Sequence, residues 1–183
     1  MKKNKHVIIT IILLLIIISI LLMLKNNKAE KNTNQIIPQE EISEDQERET
    51  MILLYFENKE TKELSKEVRI VDAKILINNP YKAIIEMLIS GPKSDKLNSV
   101  IPKDTKINDV YIKGNVVYLD LSKEFIENHI GGIENENKTI YAITNTLCEL
   151  NEVTFVRFLI DGEENKEFKD AKINFKENFE KNN

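Results

Sequence analysis

Few side chains in this chain could carry chemistry. The 183 residues include two histidines and one cysteine. A long apolar run separates His6 from the main body, which leaves His129 and Cys148 there, nineteen positions apart and without the paired His or Cys spacing of a zinc site. His129, just before Gly131-Gly132, reads as a polar loop residue. Cys148 falls beside Leu147 on an expected helix, where a small, partly buried filler fits better than an activated thiolate, which needs a base and an electropositive setting. Asp120 and Asp161 stand at the ends of expected strands. Two carboxylates at a suitable separation can cleave a glycosidic bond, but Asp ahead of a turn is also ordinary turn chemistry. Arg69 and Arg157 lie within apolar runs, where each either pairs with a buried carboxylate or meets a partner protein. Tyr55, Tyr111 and Tyr118 read as sheet packing. No catalytic, cofactor-binding or metal residue is assigned, and no enzyme activity, cofactor or small-molecule substrate is expected.

The elements that position these residues begin with an apolar segment. Residues 7–24, VIITIILLLIIISILLML, carry no charge, proline or glycine. At 1.5 Å rise per residue they span roughly 27 Å, close to one bilayer core, and an uncleaved signal anchor is expected because no small-x-small cleavage site follows. No cysteine follows the run to take a lipid. Lysines flank both sides, so counting them leaves orientation a tie. Residues 25–50, polar and increasingly acidic, read as a flexible linker. Formal charge is −4, with both signs interspersed, which argues against nucleic acid as a partner. A lone domain cysteine excludes an internal disulfide.

Structure is expected from Met51. MILLYFE reads as a buried strand with KEVRIVD, residues 66–72, as its partner. Asn79 caps a helix that Pro80 opens and Gly91-Pro92 stops, with Ile84, Met87 and Leu88 on its apolar face. Residues 93–105 have no steady period and read as loop. Gly114-Asn115 joins a hairpin of residues 107–121. Ser122 is expected to cap the short turn after it. Residues 134 to about 149 are helical, 153–160 form an interior strand, and Asp161-Gly162 turns the chain. The tail, residues 163–183, holds Phe168, Phe175 and Phe179 and is expected to dock in part; its period fits helix or strand.

The elements LYF at 54–56, Arg69-Ile70-Val71, Leu88-Ile89-Ser90-Gly91-Pro92, Ile101-Pro102, Val116 through Ser122, Asn145-Thr146-Leu147 and Phe158 through Gly162 occur in the order found in the sporulation and spore germination domain called GerMN. The chain resembles that family over roughly residues 51–175. The resemblance implies an α+β fold similar to ring-building motifs: two helices on one face of a small mixed sheet, in the order α-β-β-α-β after extra N-terminal strands, with a GerMN-like domain at 51–162. It also implies that Asp120 and Asp161 are structural. Such domains lie outside the cytoplasmic membrane, which would resolve the lysine tie in favour of a cytoplasmic residue 1–6 segment. The expected protein is therefore a single-pass envelope protein whose domain binds other envelope or spore-assembly proteins, self-association included. The rival expectation is an envelope glycan hydrolase or ligand-binding module. This chain has one copy where some members have two in tandem, and it lacks their lipid-anchor cysteine.

Overall fold

The structure, a computed structural model, describes residues 15–20, 48–169 and 173–182. The chain divides into two units, Met1–Gln46 and Glu47–Asn183. In the first, residues 15–20 are helical and Leu15, Ile16, Ile17, Ile18 and Ile20 are exposed. The rest of the expected 7–24 span, and the linker as far as residue 47, lie outside the described residues. Among the described residues no helix is long and apolar enough to cross a membrane.

The second unit is α+β with two sheets. β1 (Glu49–Asn58) and β2 (Leu64–Asp72) form a long antiparallel pair, and β3 (Leu97–Asn98) adds to the far side of β1, giving the order β2-β1-β3. β1 therefore starts inside the stretch read as linker, and β3 lies in the stretch read as loop. The N-terminal strands make a sheet of their own. A short 3-10 turn, Ala73–Leu76, leads to α1 (Pro80–Ile89), whose N-cap Asn79 accepts a hydrogen bond from the Lys82 N–H. β4 (Ile107–Lys113) and β5 (Val116–Leu121) form the expected hairpin, with φ +64 at Gly114, the glycine-first arrangement of a II′ turn.

Ser122 does not cap the next helix, α2 (Glu124–Glu127). Its N-cap is Lys123, without a side-chain bond, and the Ser122 hydroxyl instead accepts from the Lys106 N–H, pinning the start of β4. α3 (Ile133–Leu147) returns the chain to β6 (Phe155–Ile160), which runs parallel to β5. A dozen or more residues are needed for such a crossover, and the helix supplies them. β7 (Phe179–Glu180) pairs antiparallel with β6 and completes the order β4-β5-β6-β7. The tail is thus extended, not helical, where it meets the sheet.

One core joins the two sheets through the helices. Leu54 and Phe56 of β1, Ile85 and Leu88 of α1, Ile140 and Ile143 of α3, and Leu119 and Phe158 of the mixed sheet belong to a single buried cluster. Phe125 of α2 lies against Phe158, Phe168 and Phe175, so two tail phenylalanines are interior residues. Removing rings of this size from water stabilises by roughly 1.5–3 kcal/mol each. Arg157 fastens the following stretch, donating to Asn178 Oδ1 at 2.7 Å and to the Lys176 carbonyl at 2.6 Å. The partners are an amide and a backbone carbonyl of the tail, not the buried carboxylate of one reading.

Candidate functional site

The residues singled out by type do not converge. Asp120 and Asp161 do come near one another, but in a turn. Asp161 has φ +49 and Gly162 φ +77, and Ile160 and Glu163 exchange two backbone hydrogen bonds of 3.0 Å across them. This is a two-residue loop with both central residues left-handed, the arrangement that Asp-Gly serves. The Asp120 carboxylate accepts from the Gly162 N–H at 2.9 Å, and Asp161 accepts from Asn108 at 3.1 Å. Both carboxylates hold backbone and neighbouring side chains in place.

His129 lies in the loop before Gly131-Gly132, as the sequence places it, and is buried there. Its Nδ1 accepts from the Gly131 N–H at 3.0 Å, so the ring proton sits on Nε2, 2.8 Å from Thr139 Oγ1, and that hydroxyl donates to the Val100 carbonyl at 2.7 Å. The ring also packs on Phe168. A cavity of about 150 Å³ beside it is lined by Val100, Asn128, Thr139, Lys138 and Glu57. Cys148 ends α3 and its thiol contacts the Thr154 carbonyl at 3.4 Å. Burial pushes that thiol up, the wrong direction for a nucleophile. Among the described residues no group of three or more His, Cys, Asp or Glu is placed to hold a metal.

Arg69 is buried and paired, as one of its two readings expected. Its guanidinium meets Glu67 at 2.8 Å and donates to the carbonyls of Met87 at 3.2 Å and Gly91 at 2.5 Å. A cation at the carbonyl end of α1 complements its dipole. Glu67 in turn accepts from the N–H groups of Lys93 and Ser94. Burial would raise its carboxyl, but Ser94, Arg69 and Lys93 outweigh that and hold it low.

A second charged cluster was invisible in the sequence. Glu149 accepts from Tyr55 at 2.5 Å and Lys181 at 2.9 Å and lies 3.2 Å from Lys66. Burial pushes the Glu149 carboxyl up, yet those three donors together bring it down to about 2. Beside it runs an open groove of about 640 Å³, lined by Tyr55, Lys66, Lys138, Tyr141, Asn145 and Lys181. The charges there are balanced, because Lys138 pairs with Glu57 at 2.6 Å and with Glu134 at 3.2 Å.

The largest departure from ordinary surface is apolar. On the outer face of the β1–β2 pair Met51 stands opposite Ile70 and Leu53 opposite Val68. Met51 is 73% exposed, Ile70 60% and Val68 57%. The signal was present in KEVRIVD, whose alternation from Glu67 to Ile70 allows either face inward; the inward face is the one with Glu67, Arg69 and Val71.

These features define a small α+β domain whose conspicuous surface is an apolar sheet face and whose titratable groups are held in structural pairs. The family profile described as Germane: Sporulation and spore germination matches residues 53–166, and the chain belongs to that family. Among solved structures it is similar to the first GerMN domain of the Bacillus subtilis sporulation protein GerM, at 25% identity and TM-score 0.55, covering 66% of this chain and 89% of that one. The tandem GerMN domains of the same protein match at 20% identity and TM-score 0.58, covering 73% of this chain and 45% of that one. A protein described as a lipoprotein from Clostridium perfringens matches at 23% identity and TM-score 0.51, covering 73% of this chain and 88% of that one. A comparison with curated proteins gave no match.

Proposed function

We propose that this protein is a membrane-anchored, extracytoplasmic member of its family that acts in sporulation or spore germination by binding other envelope or spore-assembly proteins, and that its domain performs no chemistry. The observation that carries the interaction reading is the exposed apolar face of Met51, Val68 and Ile70. Contiguous apolar surface on a folded domain marks an interaction site more often than a catalytic one. Residues 7–24 serve as the anchor in this reading, with residues 1–6 in the cytoplasm; the apolar composition of the run and the helical conformation of residues 15–20 support it. The similarity to a clostridial lipoprotein supports a tethered domain outside the membrane. A glycan hydrolase would need carboxylates facing a cleft, whereas Asp120 and Asp161 hold a turn.

The test is twofold. Protease added to intact protoplasts should remove residues beyond about 26. Met51→Glu combined with Ile70→Glu should leave the domain folded yet abolish sporulation or germination, while Asp120→Asn should spare both. Loss of function in a folded Asp120→Asn protein together with full function in the face variant would reverse the assignment.

A further inference from the structure

β2 is a nine-residue edge strand that nothing else among the described residues pairs with on its outer side. The other sheet edges are shorter or interrupted. On the far side of β1 the Tyr55 N–H donates to the Thr146 hydroxyl of α3 at 3.1 Å, and β3 pairs with Glu57 and Asn58, so residues 49–54 are all that this edge leaves open. At β4 the Val110 carbonyl accepts from Asn79, its N–H donates to Asp109, and the ladder is irregular between Ile107 and Asp109. β7 is two residues long. Edges left unpaired are templates for another strand, and short, bulged or side-chain-capped edges are the usual protection.

The direction of the Tyr55 N–H fixes which groups β2 offers. It points away from β2, so Tyr55 and its partner Lys66 form a non-hydrogen-bonded pair. By alternation Lys66, Val68 and Ile70 send their N–H and C=O groups to the open edge. Their side chains stand on the outer, exposed face.

We infer that the β2 edge pairs antiparallel with the β2 edge of a second copy of this chain, about a two-fold axis at Arg69. This deepens, and rests on, the protein-interaction reading above. In that register Lys66 faces Asp72 of the partner subunit, and Val68 faces Ile70 of the partner subunit. On the outer face the charges and the apolar residues match at the same time, and on the inner face Arg69 meets Arg69 of the partner subunit with each guanidinium held by its own Glu67; centring one residue later sets Lys66 against Lys74 of the partner subunit. A two-fold normal to the sheet also brings the apolar faces of both copies onto one side. A single strand pair buries less than the roughly 1,200 Å² typical of stable complexes, so pairing relies on the raised effective concentration of tethered chains.

Full-length Val68→Cys and Ile70→Cys chains, each also carrying Cys148→Ser, are co-produced in one spore-forming cell and mildly oxidised. The register brings unlike cysteines opposite one another, whereas like cysteines are diagonal neighbours about 7–8 Å apart, beyond disulfide reach. Disulfide-linked dimer should be about ten-fold more abundant in the mixture than with either chain alone. In a second measurement, two differently tagged copies should co-purify, and Val68→Pro in both should abolish this while circular dichroism stays native, because proline is tolerated at an open edge. Equal or absent cross-linking overturns the proposal, as it would if a membrane surface, residues 25–47 or another protein occupied the edge. If the Met51→Glu and Ile70→Glu variant still loses function in that event, the interaction reading stands and the second copy alone is wrong.

Discussion

β5 and β2 are short strands written in the same alternating alphabet, and they bury opposite letters. In β5 the apolar set Val117, Leu119 and Leu121 is wholly buried and Asp120 lies on the outer side. In β2 the buried residue is Arg69, 5% exposed, while Val68 and Ile70 stand in solvent. The period of two is identical; which face turns inward is decided by what waits there. The face that β5 turns inward joins the core to which α3 and the phenylalanines of α2 and the tail belong. Against β2 lie the carbonyls that end α1 and the N–H groups of Lys93 and Ser94, backbone groups that demand a cation and an anion respectively. Arg69 and Glu67 answer that demand, and Val68 and Ile70 are displaced outward by register while Val71 packs on the core.

Removing the buried cation should have the largest effect. Arg69→Met leaves Glu67 buried without its partner and the α1 carbonyls without theirs, and should cost about 3–5 kcal/mol in urea unfolding. Glu67→Gln added to it should recover part of that loss. A stability loss as small as that of a surface substitution would mean that β2 is held by its ladder alone.

The Glu149 cluster tests a different join, between β2, the end of α3 and the tail. Its carboxyl is lowered from 4.5 to about 2. The stabilisation is therefore full above about pH 4.5 and disappears as pH falls through about 2. Partial exposure reduces it to about 1 kcal/mol, so Glu149→Gln should melt lower at pH 7 and match the parent near pH 2. The smallest effect belongs to the outer face: Val68→Thr and Ile70→Thr should each change stability by less than about 0.5 kcal/mol. A loss of several-fold that size would show that Val68 and Ile70 are core after all.

Local signals made half of the fold readable. Asn79-Pro80, Gly114-Asn115 and Asp161-Gly162 each dictate a cap or a turn through their own backbone preferences, and all three occur where the sequence places them. β3 was unreadable because two residues become a strand only by meeting Glu57 and Asn58. The tail showed its phenylalanines but not its conformation, since its extended form depends on Arg157 and on Asn145, which exchanges two hydrogen bonds with Asn182. At the site, Arg69 was legible as a paired arginine. Glu149 was not, because its three donors come from positions 55, 66 and 181. The inverted face of β2 was hidden for the same reason: alternation names two faces, and only the neighbours name the inner one.

The Thr146 hydroxyl on the Tyr55 N–H interrupts the edge of β1 that lies opposite β2. That stop, with β3 beyond it, leaves only residues 49–54 of β1 open on that side, against the nine residues of β2. Head-to-tail strand addition continues without limit, but a two-fold contact consumes the β2 edges of both copies in a single event and ends as a closed pair. An isologous contact at β2 therefore yields a dimer that cannot elongate into a filament. Larger arrays of this domain would have to grow through surfaces other than the β2 edge.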